Sequence, residues 1–227
     1  MTNRNLTCIL FLLLTIDAAY SFYQHYQMPL DGDLAKIVLP VKEYKKVLDD
    51  PFGLNVLLRA ESYPAPNRFF AHASMLAYFK NVPLLLQKFT NPLDSIYLSC
   101  AIAKTGIQLF LIWLLARYIS GEKNIFRKNF LLAAILITPL FQTNGYNISM
   151  GIIDKSITYT FFYALPLGLL LLFFLPFYKY WWEGKPLGFN IYTKAGLILL
   201  AIYLAFSGPL VPGVVLILCP SVLIYFF

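Results

Sequence analysis

The tripeptide Asp31-Gly32-Asp33 lies in the stretch "MPLDGDLAKIVLP", a few residues after the first long apolar run of the chain. Carboxylates two residues apart share one side of an extended backbone, and a glycine between them permits a bend that other residues resist. So placed, two acids can grip a divalent cation through hard oxygen ligands. Alternatively, crowding raises one pKa, and one acid takes a proton from an acceptor while its neighbour orients the group. A plain Asp-Gly turn with both acids facing water accounts for the same residues. Asp49-Asp50 forms a second acidic pair further along.

What must position these acids is a membrane protein. Of the 227 residues 59% are hydrophobic, 17% aromatic and 13% charged, against roughly 45–50% apolar and 25% charged in soluble domains. The excess falls in blocks. A helix needs about 20 apolar residues to cross the hydrocarbon core. The first block, Leu6 to Tyr26, reads as an uncleaved signal-anchor, although small residues at Ala18, Ala19 and Ser21 also suit a cleavage site. The second is Ile96 to Tyr118. The third starts at Phe130 and is short, with Pro139 inside it. The fourth is Ile157 to Phe177, with Pro166 as a kink. Two short arms, "AGLILLAIYLAF" and "VVLILCPSVLIYFF", close the chain as a hairpin, and the run ends at Phe227, which reads as a C-terminal truncation. The expected fold is therefore all-α and polytopic, with about six transmembrane helices.

Three regions follow: a first span at 1–26, a long extracytoplasmic loop at 27–94, and a helical bundle at 95–227. In the loop, "VKEYKKVL" and "FFAHASMLAYF" have helical spacing but lack the length to cross, so they read as helices lying in the interface plane. With the N-terminus cytoplasmic, eight lysines and arginines of the short loops fall on the inner side, and Lys155 alone falls on the outer. The net charge of +7 is thus a matter of topology and does not point to nucleic acid. "YKYWW" at 178–182 suits an interfacial aromatic belt. The cysteines, Cys8, Cys100 and Cys219, all lie in apolar runs.

Asp17 and Lys104 are the two ionisable residues within the expected spans, where a central charge costs roughly 2.5–3.5 kcal/mol and calls for a partner. Counted from Tyr26 and Ile96, both lie about 12–14 Å below the outer surface. They are expected to pair as a staple between neighbouring helices or, in a transporter or flippase-like protein, as part of a translocation path. His72 reads as a packed histidine. Asn147-Ile148-Ser149 matches a glycosylation acceptor too close to the bilayer to be used.

An acidic pair shortly after the first span, in a long external loop of interfacial helices, resembles the GT-C superfamily of polytopic glycosyltransferases. These enzymes use polyprenyl-phosphate-linked sugars and carry a loose D-x-D, D-D or D-E motif in the first external loop. The matching residues are Asp31-Gly32-Asp33, with Asp49-Asp50 second, and the match covers the N-terminal part of such a protein. The resemblance implies that Asp31 or Asp33 is the general base or helps to bind a divalent cation, and that basic loop residues hold the lipid phosphate. Arg59 and Arg68, flanking "AESYPAPN", are the candidates, since arginine suits phosphate oxygens. Both also fit ordinary side chains snorkelling from interfacial helices. A non-enzymatic membrane protein is the remaining reading.

Overall fold

The computed structural model describes residues 3–141, 152–184 and 188–226. The acceptor pattern at 147–149 and Lys185 lie outside them. Every regular element among the described residues is helical: α1 (Asn3–Gln27), α2 (Gly32–Val38), α3 (Lys42–Asp49), α4 (Leu54–Arg59), α5 (Phe69–Leu86), α6 (Pro92–Ser120) and α7 (Lys128–Ile137, extended by a 3₁₀ turn to Phe141). After them come α8 (Ile157–Glu183), α9 (Ile191–Ala205) and α10 (Leu210–Phe226). Three helices, Asn5–Gln27, Pro92–Ser120 and Ile157–Glu183, are long and apolar enough to cross a membrane. The helices at 128–141, 191–205 and 210–225 are apolar but shorter.

Local chemistry sets the ends. Asn91 caps α6 by accepting from the Asp94 N–H, and Pro92 opens the helix where its missing N–H costs nothing. Gly121, at φ 68°, closes it in the left-handed region that glycine enters freely. Within α8 the segment Thr160–Ala164 widens to a π-turn, just before Pro166. A proline clashes with the carbonyl four residues back, here that of Phe162, and the wider turn relieves it.

The long helix α6 is the axis of the bundle. It packs against α1, α5, α7 and α8, burying small residues such as Ala101, Ala103 and Ala116 that let backbones approach. One core cluster joins Leu34 and Ile37 of α2 to Ala71, Met75 and Phe79 of α5 and Phe161 of α8. A second joins α6 and α7 around Leu111, Ile112 and Ala134. In α5 the structure departs from the sequence expectation. Its helix does not stop at Phe79 but continues through Lys80 and Pro83 to Leu86. Pro83 is buried against its neighbours, and that packing offsets the one hydrogen bond it removes.

The antiparallel register of α1 and α6 is fixed by a buried polar cluster. Gln108 donates through Nε2 to Ser21 Oγ at 2.9 Å, and His25 donates through Nε2 to Gln108 Oε1 at 3.0 Å. All three side chains are buried. Replacing Gln108 by Leu leaves two buried groups without a partner, a loss of about 1–3 kcal/mol. We expect Gln108→Leu to lower the thermal midpoint of the detergent-solubilised protein by several degrees. Leu109→Ala, on the exposed face of the same turn, should change it far less.

Candidate functional site

Asp31 does not lie in an extended Asp-Gly-Asp strand. It is the N-cap of α2, with φ −81° and ψ 152°, and Gly32 is already the first helical residue. The paired-carboxylate geometry expected from the sequence is therefore not formed. Asp31 points back to accept through Oδ1 from the backbone N–H groups of Asp33 (3.0 Å) and Leu34 (2.8 Å). Its oxygens also accept from the far end of the chain: Oδ2 from Ser156 Oγ (2.7 Å) and the Thr158 N–H (3.0 Å), Oδ1 from Thr158 Oγ1 (3.1 Å). Ser156 is itself the N-cap of α8. One half-buried carboxylate thus closes the N-termini of two helices. Burial pushes the Asp31 carboxyl upward, but the Thr158, Ser156 and Leu34 donors together outweigh it and hold the group below the ordinary carboxylate range.

Asp33 stands apart. Its side chain is 48% exposed and pairs with Lys36 at 3.2 Å, one turn along the outer face of α2. The donor set does not fit a divalent cation held by Asp31 and Asp33 together, since both oxygens of Asp31 already face N–H and O–H donors. Among the described residues no group of three or more His, Cys, Asp or Glu side chains gathers as metal ligands would.

The second acidic pair divides in the same way. Asp50 accepts from the N–H groups of Leu54 and Asn55 at the start of α4, both at 2.9 Å, and from Tyr63 Oη at 2.6 Å. The Tyr63 hydrogen bond, helped by those backbone donors, keeps Asp50 below the usual range, while burial and Asp50 push the Tyr63 phenol up to about 12. Asp49 is exposed at the end of α3.

Lys104 lies in the middle of α6, only 2% exposed. Its Nζ donates to the Lys155 carbonyl and to Met28 Sδ, the latter at 3.5 Å. Asp31 and Asp154 are near enough to interact with its charge. The pairing expected with Asp17 is not the one formed. Gln108 sits level with residues 21–25 of α1, so Lys104, one turn nearer the start of α6, lies level with the end of α1. Asp17 lies about 12 Å deeper, eight residues from His25. The expectation counted depth from Tyr26 and Ile96, whereas the offset that matters at Lys104 is set by the side-chain contacts of Gln108 and Lys104 with α1 and the residue after it.

A comparison with protein families, curated proteins and solved structures returns no match to this chain. Arg59 is exposed at the end of α4, within electrostatic reach of Asp50. Arg68 lies against α8, its guanidinium 5.6 Å from the Phe162 ring centre and 5.7 Å from that of Tyr163. His72 is wedged between Tyr44 and Phe162 with ring centres under 5 Å apart. Burial, then the charge of Arg68, lowers it to about 4, so it stays neutral at ordinary pH and serves packing. Ser156 and Thr158 are the site residues that sequence reasoning missed. The one local signal was a serine directly before an apolar helix.

Because Asp31 and Asp50 titrate lower in the folded protein than in the unfolded chain, each contributes stability at neutral pH. That contribution fades as the pH falls below about 5 toward their folded values. The thermal midpoint of the solubilised protein is expected to drop between pH 5 and pH 3. Asp31→Asn should lower the midpoint at pH 7 and flatten this acid limb, and Asp31→Asn/Asp50→Asn should flatten it further.

Proposed function

We propose that the chain is a membrane-embedded glycosyltransferase of GT-C type that takes a sugar from a polyprenyl-phosphate donor at the extracytoplasmic face. In this reading α1, α6, α7, α8, α9 and α10 are six spans of a multi-pass protein with a cytoplasmic N-terminus. Helices α2 to α5 then form the first external region, beside the headgroups. The observation that supports it is the division of labour in Asp31-Gly32-Asp33. A general base has to be accessible and held in place. Asp31 is fully engaged, and by that engagement it fixes α2, whose apolar side packs on α5. Asp33 is left on the outward side of an anchored helix.

Asp33 is then the base that accepts the proton of the attacking hydroxyl, with Lys36 holding its carboxylate. Attack on the anomeric carbon releases a phosphate, and a cation near the leaving oxygens lowers that barrier. Arg59, exposed in the same external region, is the arginine free to meet it from the aqueous side. No step here runs through a metal. The transporter reading loses its motivating pair, since Lys104 meets the 152–156 loop and not Asp17.

Two measurements test the proposal. Asp33→Asn should lower sugar transfer from a polyprenyl-phosphate donor in isolated membranes by about 10²–10⁴-fold, with the thermal midpoint lowered far less than by Asp31→Asn, because its ion pair with Lys36 is exposed. Asp31→Asn should lower stability and activity together. Transfer that survives Asp33→Asn would end the assignment. Separately, a cysteine at Gly32 should react with a membrane-impermeant reagent on intact cells. Reaction only after the cells are broken open would place the site on the wrong side.

A further inference from the structure

A groove of about 260 Å³ runs between α8 and the start of α10. Its walls include Phe162, Leu167 and Leu170 on one side and Leu210, Val211 and Val214 on the other, and none of its lining residues is charged. Leu167, Leu210 and Val214 are themselves exposed. In a bilayer the groove therefore opens sideways on to hydrocarbon.

Its head is different. Arg68 reaches over Phe162 and Tyr163, which line the groove, and donates through Nη2 to Tyr163 Oη at 3.4 Å. Among the described residues no carboxylate lies within ion-pair distance of Arg68. The turn at Gly208 closes over it: φ there is +124°, and a Cβ would stand 3.5 Å from Arg68 Nε. The Phe70 N–H bonds the Phe206 carbonyl at 3.0 Å, tying the segment that carries Arg68 to this turn. The π-turn of α8, at Thr160–Ala164, supplies the two rings under the guanidinium.

We infer that this groove is a binding site for one anionic glycerophospholipid, its phosphodiester on Arg68 and one acyl chain between α8 and α10. The charges match, one guanidinium to one phosphodiester, and arginine presents a planar fork of N–H donors to phosphate oxygens. The absence of a carboxylate beside Arg68 disfavours headgroups that carry an ammonium. Phospholipid is also the amphiphile that a groove open to the bilayer meets most often. This site is independent of the transferase reading, because it rests on Arg68 and the groove and not on Asp33.

The test uses the full chain, purified in mild detergent, stripped of lipid and titrated with dioleoylphosphatidylglycerol while the thermal midpoint is read. A saturable rise is expected. Dioleoylglycerol, which keeps the chains and lacks the phosphate, and glycerol phosphate, which lacks the chains, should produce none. Arg68→Gln, and Val214→Trp, which fills the groove and leaves the arginine intact, should each raise the half-saturating concentration at least tenfold. If Arg68→Gln fails to fold, Val214→Trp decides alone. The inference is overturned if dioleoylglycerol stabilises equally, or if the variants keep the wild-type curve. It is also overturned if a polyprenyl phosphate gives the rise and phosphatidylglycerol does not, for the groove would then belong to the sugar carrier. Sugar transfer is not read in this experiment, so failure of the transferase assignment leaves its result standing.

Discussion

The region of short helices between α1 and α6 depends on one carboxylate. Asp31 accepts five hydrogen bonds, two from the first turn of α2 and three from Ser156 and Thr158 at the start of α8. Both helix ends carry partial positive charge and unpaired N–H groups, so a single anion satisfies donors that would otherwise need separate caps. Helix α2 has seven residues, too few to hold itself together in water. It exists because Asp31 closes its start and because Leu34 and Ile37 are buried against α5 and α8. The direction in which Asp33 points follows from that anchoring.

The same loop is gripped from beneath. Lys104 rises from α6 to the Lys155 carbonyl, and the next residue, Ser156, donates to Asp31 while its own N–H bonds Asp154 at 2.7 Å. A buried ammonium without an anion in its field would be costly. Here the compensation comes from a carbonyl, a sulfur and two nearby carboxylates rather than from one ion pair. The cation on α6 and the anion at residue 31 both hold residues 155–158, which joins the short-helix region to the central helix. Gln108, one turn further along α6, keeps α1 in register with this arrangement through Ser21 and His25.

How legible this was from the sequence depended on the range of the interaction. The three long helices were readable to within about six residues at their ends, because an apolar run of that length has few alternatives. The N-cap at Asp31 was readable in principle: an acid, a second acid in the first turn, then Leu34 and Ile37 three apart. The glycine drew attention to an extended bend that the chain does not use. Helix α5 was cut short at Lys80 because Pro83 reads as a breaker, and only its burial explains its tolerance. Ser156 and Thr158 lie about 125 residues from Asp31, and no local pattern marks such a contact. The Asp17–Lys104 pairing failed for a related reason. Depth along each helix can be counted, but the offset between two antiparallel helices is set by side chains such as Gln108.

The two acidic pairs follow one physical rule that also ranks them. The two shortest helices of this region, α2 and α4, cannot rely on helix propensity, and each has a carboxylate acceptor at its start. In each pair one acid fills that role, Asp31 for α2 and Asp50 for α4. Any acid available for chemistry is the one left over. Asp49 is left over, exposed, at the C-terminal end of α3, where a negative charge opposes the helix dipole. Asp33 is left over in the first turn of a helix pinned to both α5 and α8, where its charge is favoured and its position is held by a neighbour two residues away. In the proposed reading the base is therefore Asp33, for the same reason that the structural acceptor is Asp31.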